Sequence, residues 1–334
     1  MTLKRKVKII ATGSYLPKNI VTSEDLDKKL NQEKGWAEAK SGVKTRHFAG
    51  PGENAAQMAA AAIKEALKEA KMTIDDIDCI VATSGTMDQA IPCNAVLIKK
   101  ELECQNNIPA FDINATCVSF LHGLDLISDS IELRKYKNVI LVSSDIASVG
   151  LDWNHPESCL LFGDGAVAVI LAPSSVEDQS CLHACHFENY IEGADHTQIE
   201  AGSRNHASKF ENFEDFLPLT LFRMKGKDVF KLAAKTVPGF MNKIYQKAGI
   251  KLEELSLMIP HQASGNGVRL IMRMMGFTPD KYVYLVPELG NQIAVSVPMG
   301  LHLAIKQNRI KRGDKIVLFG TGAGFTLATA ILTY

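Results

Sequence analysis

Cys117 stands where the strand-like run IPAFDINA gives way to a helical one, in which Val118, Leu121, Leu124 and Ile127 recur three residues apart. A thiol at a helix start faces unpaired backbone N–H groups and about half a positive charge. Both lower a thiol pKa, and the same N–H groups can hold a developing oxyanion. His261 follows LSLMIP directly, and Asn291 follows YVYLVPELG. A nucleophile with an imidazole and an amide suits covalent catalysis, in which an activated nucleophile reacts and preorganised donors meet developing charge. Near the end, GTGAG supplies Gly320, Gly322 and Gly324, which permit close backbone approach to a ligand. Each feature also has a plain reading. A buried free cysteine is usually inert packing, and position alone favours that for Cys117. A lone histidine is more often structural. GTGAG is no dinucleotide fingerprint, because only about ten residues follow it and no acid lies about twenty residues on. FGDG at 162–165 is most simply a turn.

The elements that must position these groups alternate. VKIIATG, IDCIVATSG, PAFDINA, NVILVSSD and GAVAVILA read as strands, nearly continuous in apolar residues as sheets covered on both faces require. Between them lie helical stretches such as AAQMAAAAIKEALKEA and CVSFLHGLDLISDSIELRK, so the class is α/β. The pattern then repeats. Residues 66–86 align without gaps on 244–264, 139–145 fall on 316–322, and Gly123-Leu124 fall on Gly300-Leu301, at offsets of 177 or 178. Such ordered offsets predict two copies of one α/β unit, joined near Pro173-Ser174-Ser175. Thr83 becomes the counterpart of His261, and Asn114 that of Asn291. Cys117, His261 and Asn291 are then expected at equivalent strand ends, where ligands collect in α/β sheets. Two halves packed face to face would bring them together. The polar stretch 189–219 has no counterpart in the first half and reads as a lid or a surface insertion.

Composition narrows the classes. The chain has 334 residues, 46% apolar and 22% charged, with a net charge of zero. This balance argues against nucleic acid as main ligand. No apolar run reaches the roughly 18 residues of a membrane span, and the short apolar run after MTLKRK is a first strand rather than a signal peptide. A cytoplasmic protein is expected. Seven cysteines, an odd number without a CxxC pair, fit reduced thiols. Cys181, His183 and Cys185 alternate along a strand beside His186 but have no clear second pair of ligands, so no metal site is assigned.

Several motifs, in order, resemble the β-ketoacyl-acyl-carrier-protein synthase III family of the thiolase-like superfamily. They are ATGSYLPKNIVTSEDL, GWAEAKSGVKTRHFA, AFDINATCVSFLHGL, LFGDGAVAVIL, IPHQAS, GNQIAVSVPMGL and FGTGAGFTLATAIL. The resemblance runs nearly end to end. It implies a thiolase-like fold whose two pseudo-symmetric halves, residues 1–173 and 174–334, form a five-layered αβαβα arrangement, usually as a homodimer. It implies that Cys117 takes an acyl group from coenzyme A or an acyl carrier protein. His261 and Asn291 would then stabilise the enolate left when malonyl-acyl carrier protein loses CO2. The N–H groups of Cys117 and the Gly324 region would form the oxyanion hole, and no metal or redox cofactor is required. Trp36, Lys40, Phe230, Ser264 and Ile91 are implied in substrate binding, with Lys231 and Arg273 in a carrier-protein patch. The sequence departs from the family pattern in places. An arginine expected before LFGDG is absent, Lys40 replaces an arginine near Trp36, and Ser264 and Asn266 replace Asn and Arg after the histidine. Ile91 stands at a pocket-end position often held by Phe, which would admit a primer longer or bulkier than acetyl. The alternative is a thiolase-fold acyltransferase of secondary metabolism that forms an ester or amide, or condenses a non-acetyl primer outside the usual initiation role. A papain-like protease also uses Cys with distant His and Asn, but its CGSCW signature is absent.

Overall fold

A computed structural model describes residues 4–175 and 177–334. The first three residues of the expected leading stretch, and Val176 just past the expected join, lie outside the described residues. The strands of the first half are β1 (Val7–Tyr15), β2 (Asn19–Thr22), β3 (Thr45–Phe48), β4 (Cys79–Ala82), β5 (Ala110–Asp112), β6 (Val139–Asp145) and β7 (Gly165–Pro173). Those of the second are β8 (Cys181–Asn189), β9 (Thr197–Gln198), β10 (Arg223–Met224), β11 (Leu257–Pro260), β12 (Lys315–Gly322) and β13 (Thr326–Thr333). The helices are α1 (Ser23–Lys29), α2 (Trp36–Ser41), α3 (Ala55–Ala70), α4 (Asn94–Glu101), α5 (Ser119–Glu132) and α6 (Pro156–Cys159). They continue with α7 (Phe213–Phe216), α8 (Gly226–Ala248), α9 (Gly265–Met274), α10 (Val286–Leu289) and α11 (Ser296–Lys306).

Two sheets form the frame. One runs β1-β7-β6-β4-β5 and the other β8-β13-β12-β11. Their pairings correspond: β4 lies parallel to β6 as β11 does to β12, and the neighbours beyond, β7 with β1 and β13 with β8, are antiparallel. β6 and β13 are buried along their whole length, which is why their sequences lack polar alternation. α5 and α11 pack between the sheets, sharing one core with Val81, Leu141, Val169, Ile259 and Leu318. α3 and α4 cover the outer face of the first sheet, and α8 and α9 that of the second. The result is the five-layered αβαβα arrangement.

The match breaks at one edge. YVYLVPELG is not a strand like β5: Tyr282 makes a single bridge to Met258, and residues 286–289 form α10. Pro287 has no N–H to offer a ladder. The Gln262 side chain serves instead, donating to the Val283 carbonyl and accepting from the Leu285 N–H. Asn291 therefore follows a short helix and Gly290 at φ 65°, and the expectation that it ends a strand is corrected.

Close packing of helix on sheet depends on particular glycines. A Cβ at Gly13 in β1 would lie 2.2 Å from the Ala62 carbonyl oxygen and 2.4 Å from the Ala66 nitrogen, both backbone atoms of α3. Neither can move without shifting the helix. Gly13→Ala should destabilise the protein by about 3 kcal/mol, the upper range for overpacking a core, read by denaturant unfolding. A loss below about 0.5 kcal/mol would mean that α3 is not held this closely.

Candidate active site

The nucleophile candidate sits on a strained turn. After β5 the chain passes Asn114 and Ala115, places Thr116 at φ 54°, and forms a 3-10 turn, Thr116–Val118, that runs into α5. A β-branched residue is disfavoured there, so the surroundings must hold it. They do: Asn114 Oδ1 accepts from the Thr116 N–H at 2.9 Å, and Ser119 Oγ accepts from the Ala115 N–H at 2.9 Å while donating to the Thr116 carbonyl. Gly320 and Gly322 of β12 leave room for Val118 and Thr116, since a Cβ at either would meet them within 3.0 Å.

Cys117 retains some accessible surface, yet its thiol is pushed up to about 12. Burial is the main cause, and the Asp145 carboxylate adds to it. The N–H groups of Ala323 and of Cys117 itself pull the other way, as does the Thr116 hydroxyl. The helix-start effect is thus present but outweighed, and the expectation of a lowered thiol pKa is corrected. The second N–H that bears on the sulfur is that of Ala323, which also donates to Thr116 Oγ1 at 3.1 Å. Gly324 faces open space and, at φ 73°, makes the turn that presents its neighbour.

His261 continues β11, its N–H donating to the Phe319 carbonyl of β12. The ring is buried, which lowers its pKa to about 4 and keeps it neutral at physiological pH. Nδ1 is sealed from solvent without a hydrogen-bond partner among the described residues, so Nε2 is the ring atom left to meet the cavity. Asn291 is fixed by the Ile293 N–H, which donates to its Oδ1 at 2.9 Å. Its amide nitrogen then points towards the Ala263 carbonyl at a long 3.4 Å and keeps a proton for another acceptor.

A cavity of approximately 1410 Å³ opens beside His261. Trp36, Lys40, Phe230 and Ser264 line it, so four of the residues expected near substrate lie together, with Lys231 of the expected carrier-protein patch beside them. Cys117 and Asn291 are not in its wall. The Cys117 turn is linked to it through Ala323, which donates to Thr116 Oγ1 and lies two residues from Thr321 and Phe325 in the wall, and Asn291 is linked through Ala263. Ser264 caps α9, accepting from the Gly267 N–H. Where an arginine was expected, His155, Pro156 and Glu157 border the same cavity as Trp36. Asp195, His196, Gln198 and Glu200 bring part of the 189–219 stretch to it. Arg273 is exposed on α9 and does not reach it. Ile91 does not either: it is 85% exposed on the loop after β4. Ile91 is therefore outside the wall of the single chain's cavity.

The rest of the thiol-bearing strand has ordinary partners. His183 pairs with Thr333 Oγ1 at 2.7 Å, and Cys185 accepts from Arg5. Sequence reading missed Thr116, Ala323 and Asp145. Ala323 acts through its backbone N–H, which residue type conceals, and Thr116 through a left-handed turn that brings its hydroxyl to the thiol. Asp145 left a trace, since the 177 offset sets it against Gly322.

Comparison with known proteins adds names. The family model described as 3-oxoacyl-[acyl-carrier-protein (ACP)] synthase III matches residues 111–189, and the model for the C-terminal part of that enzyme matches residues 245–334. Beta-ketoacyl-[acyl-carrier-protein] synthase III of Aquifex aeolicus is 34% identical over 327 residues, covering 98% of this chain and 99% of the relative. The Neisseria gonorrhoeae protein of that name is 32% identical over 329 residues, with the same coverage. The crystal structure of 3-oxoacyl-[acyl-carrier-protein] synthase III from Aquifex aeolicus superposes with a TM-score of 0.87 at 33% identity, covering 98% of this chain and 100% of that one.

Proposed function

This chain belongs to the 3-oxoacyl-[acyl-carrier-protein] synthase III family, and on that premise we propose a decarboxylative condensation carried by Cys117, His261 and Asn291. It is an acyltransferase of the β-ketoacyl-acyl-carrier-protein synthase III kind with a thiolase-like fold. The observation that carries the residue assignment is that His261 lines the cavity while the turn holding Cys117, through the Ala323 N–H on Thr116 Oγ1, and Asn291, through Ala263, adjoin the same wall.

The steps follow from the geometry. The Cys117 thiol gives up its proton as its sulfur attacks the primer thioester. The two N–H groups hold the resulting oxyanion, and the carrier thiolate leaves and takes a proton. Malonyl thioester next places its thioester carbonyl against His261 and Asn291. The C–C bond to the carboxylate breaks, CO2 leaves, and the bonding pair passes into an enolate whose oxygen accepts from the two donors. A neutral imidazole can donate one hydrogen bond here, and the weakly engaged Asn291 amide another. The enolate carbon attacks the acyl-cysteine, the same N–H pair holds the second oxyanion, and the β-ketoacyl thioester leaves as Cys117 regains a proton. The residues named require no metal or redox cofactor in these steps; coenzyme A or carrier-protein thioesters are substrates.

Lys40, Lys225, Lys227, Lys231 and Arg223 at the cavity border suit an anionic carrier, and we keep Lys231 and Arg273 as carrier-protein contacts. We also propose a division at residues 173/174, supported by the two sheets drawing their strands from opposite sides of it. A homodimer is supported by the open edge of β5 beside exposed Met87 and Ile91. No helix among the described residues is long and apolar enough to cross a membrane, and a cytoplasmic location fits seven free cysteines.

The test is product analysis with a thioester primer and malonyl-carrier protein carrying a labelled free carboxyl. One CO2 released per β-ketoacyl thioester formed is expected. An ester or amide product without CO2 would replace this reading with the secondary-metabolism alternative.

A further inference from the structure

The internal duplication places a carboxylate where the first half leaves an anion site open. Asn114, Thr116, Val118 and Ser119 correspond to Asn291, Ile293, Val295 and Ser296 at an offset of 177. The correspondence extends to atoms. Ile293, like Thr116, is a β-branched residue in the left-handed region, at φ 52° against 54°. Each asparagine Oδ1 accepts from the N–H two residues on at 2.9 Å. Each serine Oγ accepts from the N–H four residues before it, at 2.9 and 3.1 Å. Cys117 therefore corresponds to Ala294, and its N–H to the Ala294 N–H. That N–H donates to Asp145 Oδ2 at 3.0 Å. The other oxygen of Asp145 accepts from the Gly85 N–H, the Thr86 N–H and the Thr86 hydroxyl at 2.7–2.8 Å. Asp145 is buried and makes no ion pair among the described residues.

We propose that Asp145 is a positioning residue for the condensation: its carboxylate occupies in the second half the site that the reacting oxyanion takes in the first. It thereby ties the Gly85–Thr86 turn to the start of α11. Asn291 lies three residues before Ala294, so the tie also sets where the Asn291 amide points. The Gly85–Thr86 turn in turn abuts the strained residue beside the nucleophile, since a Cβ at Gly85 would meet Ile293 and Thr116 together. One carboxylate thus fixes the two halves of the site against each other. Its charge also acts on the thiol. Asp145 is a charged side chain that raises the Cys117 thiol, while burial raises Asp145 itself and the donors of Thr86, Gly85 and Ala294 favour its ionised form. Burial raises Asp145 to about 6, so near neutral pH it is ionised and holds Cys117 as the thiol. The proposal rests on the condensing reading above.

The test uses the full chain with Asp145→Asn, which keeps the shape and removes the charge. Wild-type protein must first show an acyl adduct on Cys117; its absence would defeat the condensing reading itself, whereas the variant addresses Asp145. The variant is expected to lose roughly 100-fold in kcat, the scale of a misplaced reacting group, with KM for the malonyl thioester changed less than about threefold. Alkylation of Cys117 by iodoacetamide at pH 8 should become about tenfold faster, because removing a carboxylate lowers the thiol pKa by about one unit. The gap between variant and wild type should close below about pH 6, where Asp145 itself protonates. A purely structural carboxylate would not move that profile. A folded variant with kcat within about twofold of wild type, or with an unmoved alkylation profile, overturns the proposal. If Asp145→Asn does not fold, Thr86→Val removes one donor and keeps the carboxylate. The bend that Asp145 titration puts in the alkylation profile should then lie at higher pH in Thr86→Val than in wild type, and no movement overturns the proposal.

Discussion

Cys117→Ala should abolish β-ketoacyl product, lowering the condensation rate by at least about 10⁴-fold, the scale seen when a covalent nucleophile is removed. The methyl group fits where the thiol was, so the fold should survive, and unfolding midpoints should agree within a few degrees. The donors for the enolate are on other elements: His261 follows β11, and Asn291 follows α10. Slow decarboxylation of malonyl thioester by the variant is therefore expected to persist without condensation. Loss of both activities together would mean that Cys117 supports the whole site rather than carrying the acyl group. Rates of CO2 release and of product formation, measured side by side, separate the two.

His261→Ala and Asn291→Ala should produce the reverse split. Each removes one donor to the enolate oxygen, and condensation should fall by about 10²–10³-fold, the cost of one oxyanion donor. Acylation of Cys117 from primer should stay within a few-fold of wild type, since its oxyanion is held by backbone N–H groups. The pH behaviour of His261 sharpens this. Burial lowers its pKa to about 4, so the ring is neutral across the working range, and no break near pH 6.5 is expected in the condensation rate. The sign for stability follows from the same shift. Above about pH 6.5 the ring is neutral in both folded and unfolded chains and contributes nothing. As pH falls from there towards 4, the unfolded chain takes up the proton first and stability declines. His261→Ala should flatten that decline. A rate break near 6.5 that vanishes in His261→Ala would instead mark a protonated ring and contradict its role as neutral donor.

Much of this was legible in the sequence, and the reasons are physical. Strands buried on both faces, such as β6 and β7, are nearly continuous in apolar residues, so NVILVSSD and GAVAVILA announce themselves. The duplication was legible because both halves bury the same helix faces; Gly123 and Gly300 recur where α5 and α11 approach Thr83 and Ile259. What stayed hidden was set by backbone and burial. Nothing in YVYLVPELG shows that a Gln262 side chain replaces its strand partner. Ala323 contributes an N–H that any residue type would have, and the glycine beside it drew attention away. The direction of the Cys117 shift depended on how deeply the turn packs and on a carboxylate 28 residues away in sequence. Ile91 is 85% exposed in the single chain, so what it would face depends on a partner that its sequence does not describe.

The central claim is that Cys117 carries the acyl group. Intact-mass measurement after incubation with a panel of acyl-coenzyme A and acyl-carrier-protein donors tests it most directly. The account predicts a gain equal to one acyl group less one hydrogen for at least one donor, reversed by malonyl-carrier protein and absent from Cys117→Ala. No adduct from any donor, or an adduct that survives in Cys117→Ala, would contradict it.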